Sequence, residues 1–483
     1  MLPARAIRPA LRVIPSLRNA SLRPQPLPKR WYSDKKPAAP ADSPDEYDHR
    51  KLGVQQELFT TSVYSPGSPI FLPNGTRVFN RLVDFLRRQY THYGFDEVIT
   101  PNIYKKSLWE VSGHLQNYAD DMYTVTSRAR AAEAAATSCC GDRETPQEGK
   151  GAESRLAEGE DQDYGLKPMN CPGHCLIFAS KNRSYRDLPI RYADFSPLHR
   201  NEVSGALSGL TRVRRFHQDD GHIFCRPIQI REEVFKTLDF MKTVYGALGL
   251  DYFDFALSTR PADHYIGTDA EWERAEAQLR DALEQAGLKY TIKEGDGAFY
   301  GPKIDVILRD SDGKSHQAGT IQLDFQLPQR FELEYSAPAP KQETQGVPLE
   351  EVDAAELEQN GVVTPVLIHR AILGSVERLM ALLIEEYKGK WPFWLNPRQV
   401  AILCLNDTKP VLQWASEVKN RPLSKKVAEA QSKQYSLCVV VGPKDVESGT
   451  VAVSDRGAGY KGKANMTPGD LLEKMKEMAA TYQ

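Results

Sequence analysis

The sequence predicts an α+β protein with two domains, an antiparallel β-sheet domain flanked by helices and a small C-terminal α/β domain. At 483 residues the chain is longer than a single hydrophobic core usually supports. In its middle, strand-like runs follow one another and the helical runs lie outside them, which differs from the regular alternation of a parallel sheet. After the segment WPFWLNP, short apolar strands alternate with helices, which indicates a second, smaller domain.

Composition narrows the class of protein without identifying it. Hydrophobic residues make up 41% of the chain and charged residues 26%, as in an ordinary globular protein. The net charge of −2 gives no overall signal for nucleic-acid binding, so any RNA contact must come from local basic patches. No apolar run is long enough to span a membrane, and the seven scattered cysteines favour a reducing compartment.

The N-terminal 33 residues are basic and contain no acidic residue. This composition, with interspersed serines and without a continuous apolar stretch, is typical of an organelle transit peptide. We therefore expect residues 1–33 to direct the protein to the mitochondrial matrix; the alternative is a basic tail that binds nucleic acid. Residues 34–54 are predicted to be a linker. The basic residues are Arg5, Arg8, Arg12, Arg18, Arg23, Lys29 and Arg30.

Residues 55–395 are predicted to form the larger domain. Apolar residues at helical spacing predict a helix over 77–93, followed by a strand in FDEVITP. Residues 128–163 are rich in Ala, Glu and Gly and nearly lack large apolar residues, so we expect a disordered insertion. Residues 336–361 are also polar and are predicted to be a second disordered insertion.

A hairpin over residues 191–225 is the most informative stretch. Its predicted arms are 191–200 and 212–225, joined by a loop that contains Gly205 and Gly209. The arms carry more arginine, acidic and histidine residues than a strand pair in a core requires. Further strands and helices follow, among them the buried strand TPVLIHRAIL and a helix over 374–387. In the last domain, residues 396–483, Thr467 is predicted to cap the final helix.

These motifs resemble those of class II aminoacyl-tRNA synthetases, and in detail those of threonyl-tRNA synthetases. HRNE and TRVRRF resemble motif 2, GSVERL resembles motif 3, and the helix and strand over 77–101 resemble motif 1, which implies a homodimer. GPKDVESGTVAV resembles the C-terminal anticodon-binding domain of the family. Each arginine alone would more often be a surface residue; their order within three motifs favours the resemblance.

The resemblance implies an ATP site. Arg200 and Arg378 correspond to the catalytic arginines, Phe216 to the aromatic residue that stacks on adenine, and Arg212 to a residue near the γ-phosphate. Paired arginines also suit phosphate recognition on chemical grounds. The full set of implied ATP-binding residues is Arg200, Glu202, Arg212, Phe216, Gln218, Gln317, Ser375 and Arg378.

The resemblance also implies a metal centre. Cys171 in MNCPGH, His222 in DDGHIFC and His369 in LIHRAILGS match the three zinc ligands of threonyl-tRNA synthetases. Taken singly, each is more often a core residue. One thiolate and two imidazoles suit Zn²⁺ and leave a position open for substrate.

The remaining implied residues surround the amino acid and the tRNA end. Met169, Asp220, Tyr300, Lys303 and Gln322 correspond to the threonine pocket. His114, in SGH, corresponds to a residue that organises the terminal ribose of tRNA. The implied catalytic residues are therefore Arg200, Arg378 and His114.

The expected activity is a threonine–tRNA ligase that uses ATP with Mg²⁺, carries one Zn²⁺ per subunit and acts on mitochondrial tRNA(Thr). The short segment before the larger domain implies that no editing domain is present. The last domain is predicted to be shortened, because a strand expected between QVAILCL and YSLCVVVG is missing; a gap in the gene model is the alternative. A catalytically silent relative that binds RNA is the competing function.

Overall fold

The computed structural model describes residues 47–126, 164–250, 253–309, 315–406, 408–414, 423–457, 459–461 and 463–483. The predicted transit peptide, the first part of the predicted linker and the predicted insertion 128–163 lie outside these residues. Within the described ranges, no helix has the length and apolar character needed to cross a membrane.

The described elements alternate irregularly along the chain. The strands are β1 (Phe59–Thr60), β2 (Ile70–Phe71), β3 (Asp96–Glu97), β4 (Ile103–Lys105), β5 (Thr124–Val125), β6 (Tyr164–Leu166), β7 (Ile190–Asp194), β8 (Pro197–His199), β9 (Arg215–Cys225), β10 (Asp254–Ser258), β11 (Tyr290–Lys293), β12 (Lys303–Arg309), β13 (Ser315–Asp324), β14 (Tyr335–Pro338), β15 (Asn360–Val363), β16 (Val366–Ser375), β17 (Val400–Cys404), β18 (Leu437–Val441), β19 (Val451–Asp455) and β20 (Ala464–Met466). The α-helices are α1 (His49–Gln55), α2 (Pro73–Tyr93), α3 (Lys106–Val111), α4 (His114–Tyr118), α5 (Cys171–Ala179), α6 (Ile230–Ala247), α7 (Asp269–Gln285), α8 (Gln326–Arg330), α9 (Pro340–Gln345), α10 (Ala354–Leu357), α11 (Val376–Glu386), α12 (Lys409–Trp414), α13 (Leu423–Ser432), α14 (Pro443–Ser448) and α15 (Pro468–Ala480).

A nine-stranded sheet forms the centre of the larger domain. Its order is β11-β10-β12-β13-β16-β9-β7-β3, and β8 pairs with β9 beyond this path. Neighbouring strands are antiparallel, except that β10 pairs with β11 and β3 with β7 in parallel. The predicted antiparallel α+β fold is confirmed.

The predicted hairpin is present, but its first arm is interrupted. β7 ends at Asp194, whose Oδ1 accepts a hydrogen bond of 2.7 Å from the amide of Ser196. This side chain therefore replaces a ladder partner and turns the chain before β8. Asp194 Oδ2 also accepts from the amide and hydroxyl of Thr100. Of the predicted strand FDEVITP, Asp96–Glu97 form β3.

The C-terminal part of the predicted linker is helical, so the linker prediction is wrong from residue 49 onward. Asp48 caps α1 by accepting a hydrogen bond of 2.7 Å from the amide of Arg50. The helix packs against α11, and His49 and Gly53 on it are buried. A Cβ atom at Gly53 would lie 2.3 Å from the ring of Phe59, so this close approach requires glycine.

The predicted disordered insertion 336–361 is also wrong, because these residues fold. β14 and β15 form an antiparallel pair, with α9 and α10 between them. Glu343 on α9 is buried and accepts two hydrogen bonds from Arg226, at 2.7 and 2.6 Å, and one of 2.7 Å from Tyr335. The polar composition that predicted disorder therefore includes a buried, paired carboxylate.

The C-terminal domain has a four-stranded sheet in the order β17-β18-β19-β20. β17 and β18 are parallel, and the later pairs are antiparallel. Thr467 caps α15 as predicted, by a reciprocal pair of hydrogen bonds with Asp470. The described residues between β17 and β18 form α12 and α13 and contain no strand.

Candidate active site and metal centre

A cavity of about 180 Å³ opens on the face of the central sheet and collects most of the predicted site residues. It is bounded by β9, β13 and β16 of the sheet, by the start of α5 and by α4. The predicted residues that line it are His114, Met169, Cys171, Arg200, Gln218, Asp220, His222, Tyr300, Gln322 and His369.

Strand register explains why residues so distant in sequence meet here. β9 and β16 are antiparallel, and His222 lies directly opposite His369. On the other side of β16, Gln322 of β13 also lies opposite His369, and Lys303 of β12 lies opposite Gln322. The sheet therefore places one residue of each of these four strands in a row, and His222, His369 and Gln322 of that row line the cavity.

Cys171, His222 and His369 bring their donor atoms within 4.8 Å of one another. Cys171 and His222 are buried, and His369 is partly buried. The Nε2 atom of His222 lies 2.9 Å from the Nδ1 atom of His369. Burial, together with the neighbouring His174 and His369, holds the pKa of His222 well below its usual value, so this imidazole is neutral at pH 7.

The second ring nitrogen of each histidine already has a partner. His222 Nδ1 lies 2.7 Å from His174 Nδ1, and His369 Nε2 lies 2.8 Å from Asp324 Oδ2. The Asp324 carboxylate requires a proton on His369 Nε2, which leaves the Nδ1 lone pair directed toward His222 and Cys171.

Two residues of this arrangement, His174 and Asp324, were missed by the sequence analysis. His174 lies in MNCPGH, three residues after Cys171, and Asp324 lies in QLDF, two residues after Gln322. Each stands in a motif already singled out, and that was the available signal. Their roles depend on which ring atom each side chain reaches, which spacing alone does not give.

His114 lies beside the cysteine at the edge of the cavity. Its Nδ1 atom is 2.8 Å from Ser112 Oγ, and its Nε2 atom is 3.2 Å from Met169 Sδ and 3.8 Å from Cys171 Sγ. Burial, followed by the nearby His369, lowers the pKa of His114 to about 4, so its imidazole is neutral at pH 7.

Arg200 is the predicted phosphate ligand that reaches the cavity. Its guanidinium lies 5.0 Å from the ring centroid of Phe216, and its Nε atom lies 3.4 Å from the carbonyl of Pro168. Phe216 is buried and packs with Leu198 and Val213. The aromatic ring thus supports the guanidinium from one side.

Apart from Arg200 and Gln218, the predicted ATP-binding residues lie outside the cavity lining, Arg378 among them. Arg378 donates hydrogen bonds to the carbonyls of Thr211, at 3.0 Å, and Gln317, at 3.1 Å. Arg212 pairs with Glu202 at 2.8 Å. Ser375 caps α11 by accepting a 3.1 Å hydrogen bond from the amide of Arg378, so its observed contact positions that arginine.

Lys303 and Gln317 share a partner that the sequence analysis did not name. Lys303 Nζ lies 2.8 Å from Asp305 Oδ2, and Gln317 Nε2 donates a 2.6 Å hydrogen bond to Asp305 Oδ1. On the cavity floor, Tyr300 donates a 3.1 Å hydrogen bond to Gln322. These contacts orient the four side chains.

Family models match both domains. Residues 155–347 match the model described as tRNA synthetase class II core domain (G, H, P, S and T), and residues 399–478 match the model described as anticodon binding domain. The fold and the site therefore define a class II aminoacyl-tRNA synthetase.

Individual relatives indicate which family within the class II synthetases this chain belongs to. The probable mitochondrial threonine–tRNA ligase of Schizosaccharomyces pombe is 48% identical over 439 residues, which cover 85% of this chain and 84% of the relative. The mitochondrial threonine–tRNA ligase of Saccharomyces cerevisiae is 40% identical over 497 residues, covering 94% and 96%. Relatives named as cytoplasmic threonine–tRNA ligases match as well. The chain belongs to the threonine–tRNA ligase family, whose enzymes join threonine to tRNA at the expense of ATP.

A solved structure is similar over most of the chain. It is described as the RNA binding domain of threonyl-tRNA synthetase from Cryptosporidium parvum Iowa II, with a TM-score of 0.74 and 41% identity. The match covers 89% of this chain and 98% of that one.

Proposed function

We propose that the protein activates threonine with ATP and transfers it to mitochondrial tRNA(Thr), with zinc bound by Cys171, His222 and His369 selecting threonine over valine. The observation that carries this proposal is the convergence of the three donor groups, within 4.8 Å, on the wall of the cavity.

The donor set fits zinc. One thiolate and two imidazoles are ligands that Zn²⁺ prefers, and three protein ligands leave a position for substrate. The other ring nitrogens of His222 and His369 are occupied by His174 and Asp324, so two lone pairs are free to point at one ion. Bound there, zinc would supply a Lewis-acid position for the amino and hydroxyl groups of threonine.

This arrangement addresses a difficult discrimination. Valine has nearly the shape of threonine, and an apolar pocket separates such molecules by only about 1–3 kcal/mol. A site that requires a hydroxyl group rejects valine more strongly, because polar groups of the site are left without partners. Asp220 is buried, and its Oδ1 atom lies 3.9 Å from His222 Nε2. It is placed to accept a hydrogen bond from the amino or hydroxyl group of threonine.

In the activation step the threonine carboxylate attacks the α-phosphorus of ATP and displaces pyrophosphate. The nucleophile is already ionised, so no side chain need remove a proton. Arg200 and Arg378 would stabilise the charge on the phosphoryl oxygens, with Mg²⁺ accompanying ATP. Arg200 lines the cavity, and Arg378 lies in the segment that resembles motif 3.

In the transfer step the terminal ribose of tRNA attacks the adenylate. His114 is suited to organise that ribose, because its imidazole is neutral and its ring is held by Ser112 beside the predicted metal ligands. We assign it a positioning role.

The proposed homodimer uses the motif 1 segment. In that segment Ile99 is 89% exposed, so its side chain is available to a partner subunit. Sedimentation at micromolar concentration should give a dimer, and Ile99→Glu should weaken it; a parent protein that sediments as a monomer would exclude this assembly. The basic N-terminus and the relatives named as mitochondrial support the proposed mitochondrial localisation.

Pyrophosphate exchange tests the proposal. The zinc-loaded protein should exchange pyrophosphate into ATP with threonine and much less with valine. Cys171→Ser should lower bound zinc and threonine-dependent exchange together. Cys175→Ser is the matched control, since Cys175 is also buried on α5 but lies outside the donor trio, and it should keep both. Stoichiometric zinc in Cys171→Ser would refute the metal site.

A further inference from the structure

His49, in the segment that was predicted to be a linker, contacts the loop of motif 2. The amide of Leu210 donates a hydrogen bond of 3.2 Å to His49 Nε2. The other ring nitrogen, Nδ1, lies 2.7 Å from Glu385 Oε1, and the backbone amide of His49 also donates to that oxygen at 3.2 Å. His49 is 4% exposed.

These two contacts fix the state of the ring. An amide always donates, so Nε2 must carry a lone pair, and Nδ1 must carry the proton that it donates to the Glu385 carboxylate. Asp48 is 3.8 Å from Nδ1, but its oxygens accept hydrogen bonds from Arg50. Asp48, His49 and Glu385 could hold an ion by distance alone, yet His49 uses both nitrogens in hydrogen bonds.

The loop is built to accept this contact. Gly209 has a positive φ of 47°, and a Cβ atom there would lie 2.1 Å from His49 Nε2. Only glycine lets the ring approach the backbone this closely. Leu210, the next residue, is fully buried in the main core.

Helix α11 supports the motif 2 loop at two positions. α11 carries Arg378 near its start, which donates a 3.0 Å hydrogen bond to the carbonyl of Thr211. It carries Glu385 near its end, which orients His49 and through it the amide of Leu210. Of the two residues before Arg212, Thr211 is therefore held by α11 directly, and Leu210 is held by α11 through His49 on α1.

We propose that His49 is a positioning residue for the ATP site. By holding Leu210 it fixes the loop that carries Arg212 and the Thr211 carbonyl bound by Arg378. This inference rests on the proposed ATP site. It assigns to the N-terminal helix a role in the affinity for the nucleotide that is separate from threonine binding, because the cavity lining does not include His49.

Two substitutions of His49 separate its two contacts. Asn places its amide near the position of Nδ1 and keeps a partner for Glu385, whereas Gln reaches the position of Nε2 and keeps an acceptor for Leu210. We expect His49→Asn to raise the KM for ATP about three- to tenfold, as for one lost buried hydrogen bond. The KM for threonine and the kcat of pyrophosphate exchange should change less than about twofold. His49→Gln should restore the KM for ATP to within about twofold of the parent.

Hydrogen exchange gives a second readout without ATP. In His49→Asn the peptide that contains Leu210 should lose protection, and in His49→Gln it should keep it. Gln55→Ala, an exposed change on the same helix, is the control and should match the parent in both measurements. If His49→Asn does not fold, Glu385→Leu frees the ring by removing its orienting partner and should raise the KM for ATP in the same way.

An unchanged KM for ATP in folded His49→Asn, or in Glu385→Leu if the first variant does not fold, would overturn the inference. Equal increases in both KM values, or no rescue by Gln, would also overturn it. Absence of threonine-dependent exchange in the parent would instead refute the proposed function.

Discussion

At the scale of single residues, Asp324 has two oxygens with different tasks. Oδ2 contacts His369 Nε2, and Oδ1 accepts from the amides of Gln326, at 2.7 Å, and Leu327, at 3.0 Å. One carboxylate therefore binds the backbone amides at the start of α8 and fixes the tautomer of a proposed zinc ligand. Such outer partners commonly matter almost as much as the ligands.

Asp324→Asn tests this division of roles. Asn keeps an oxygen for the two amides, but its NH₂ group would donate to His369 Nε2 and move the ring proton to Nδ1, where the metal would bind. We expect zinc affinity to fall about 10–100-fold while the folded structure persists. Competition with a chromophoric chelator measures the affinity, and Asp296→Asn, at a half-exposed carboxylate, is the control. Parent affinity in Asp324→Asn would show that the tautomer does not limit binding.

Asp194 is a residue-scale source of pH dependence. Burial alone would raise its pKa, but His174 at 3.8 Å, hydrogen bonds from Ser196 and Thr100, and the charge of Lys167 lower it to about 2. A folded pKa below the unfolded value of 3.8 contributes stability above pH 4 and loses it as the pH falls toward 2.

We therefore expect Asp194→Asn to cost about 2 kcal/mol at pH 7. The difference from the parent should shrink as the pH falls below about 4. Urea unfolding from pH 7 to pH 3 measures it, with both proteins stripped of metal so that loss of bound metal at low pH does not contribute. A difference that stays constant over this range would contradict the assigned pKa.

At the scale of elements, local patterns predicted helices better than they predicted order in polar segments. The helices predicted over 77–93 and 374–387 are present as Pro73–Tyr93 and Val376–Glu386, so the structure confirms them with small changes at their ends. Residues 336–361 were predicted to be disordered because they contain few large apolar residues. Their order depends on Glu343 meeting Arg226 and Tyr335, and a partner 117 residues away leaves no local trace.

Glu343→Gln should therefore loosen this element specifically. Glu343 is 1% exposed, and removing its charge leaves Arg226 without its carboxylate partner. We expect a loss of about 3 kcal/mol in unfolding free energy and new protease cleavage within 336–361. Glu350→Gln makes the same chemical change at an exposed position of the same segment and should behave as the parent. Resistance of Glu343→Gln to protease would mean that the strand pair β14–β15 suffices.

At the scale of the whole molecule, the fold class and the order of the two domains were predictable, and the motifs led to residues that the fold collects around one cavity. Spacing alone would not have joined Cys171, His222 and His369, since the antiparallel pairing of β9 with β16 places the two histidines opposite one another. The resemblance to a family supplied that register indirectly. His49, His174 and Asp324 were missed because their roles depend on single ring nitrogens, which become visible only in three dimensions.

The C-terminal domain carries a prediction for the complete enzyme. β17 and β18 pair directly, and the described residues between them form only α12 and α13. A base contact of about 1–3 kcal/mol corresponds to roughly 5–150-fold discrimination, and a missing strand would remove positions for such contacts. We expect tRNA(Thr) with a substituted anticodon to lose less than about fivefold in kcat/KM for aminoacylation, and an acceptor minihelix to remain a substrate. Parallel assays with unaltered tRNA(Thr) set the reference, and a loss of 100-fold or more on anticodon substitution would show that the domain recognises the anticodon without that strand.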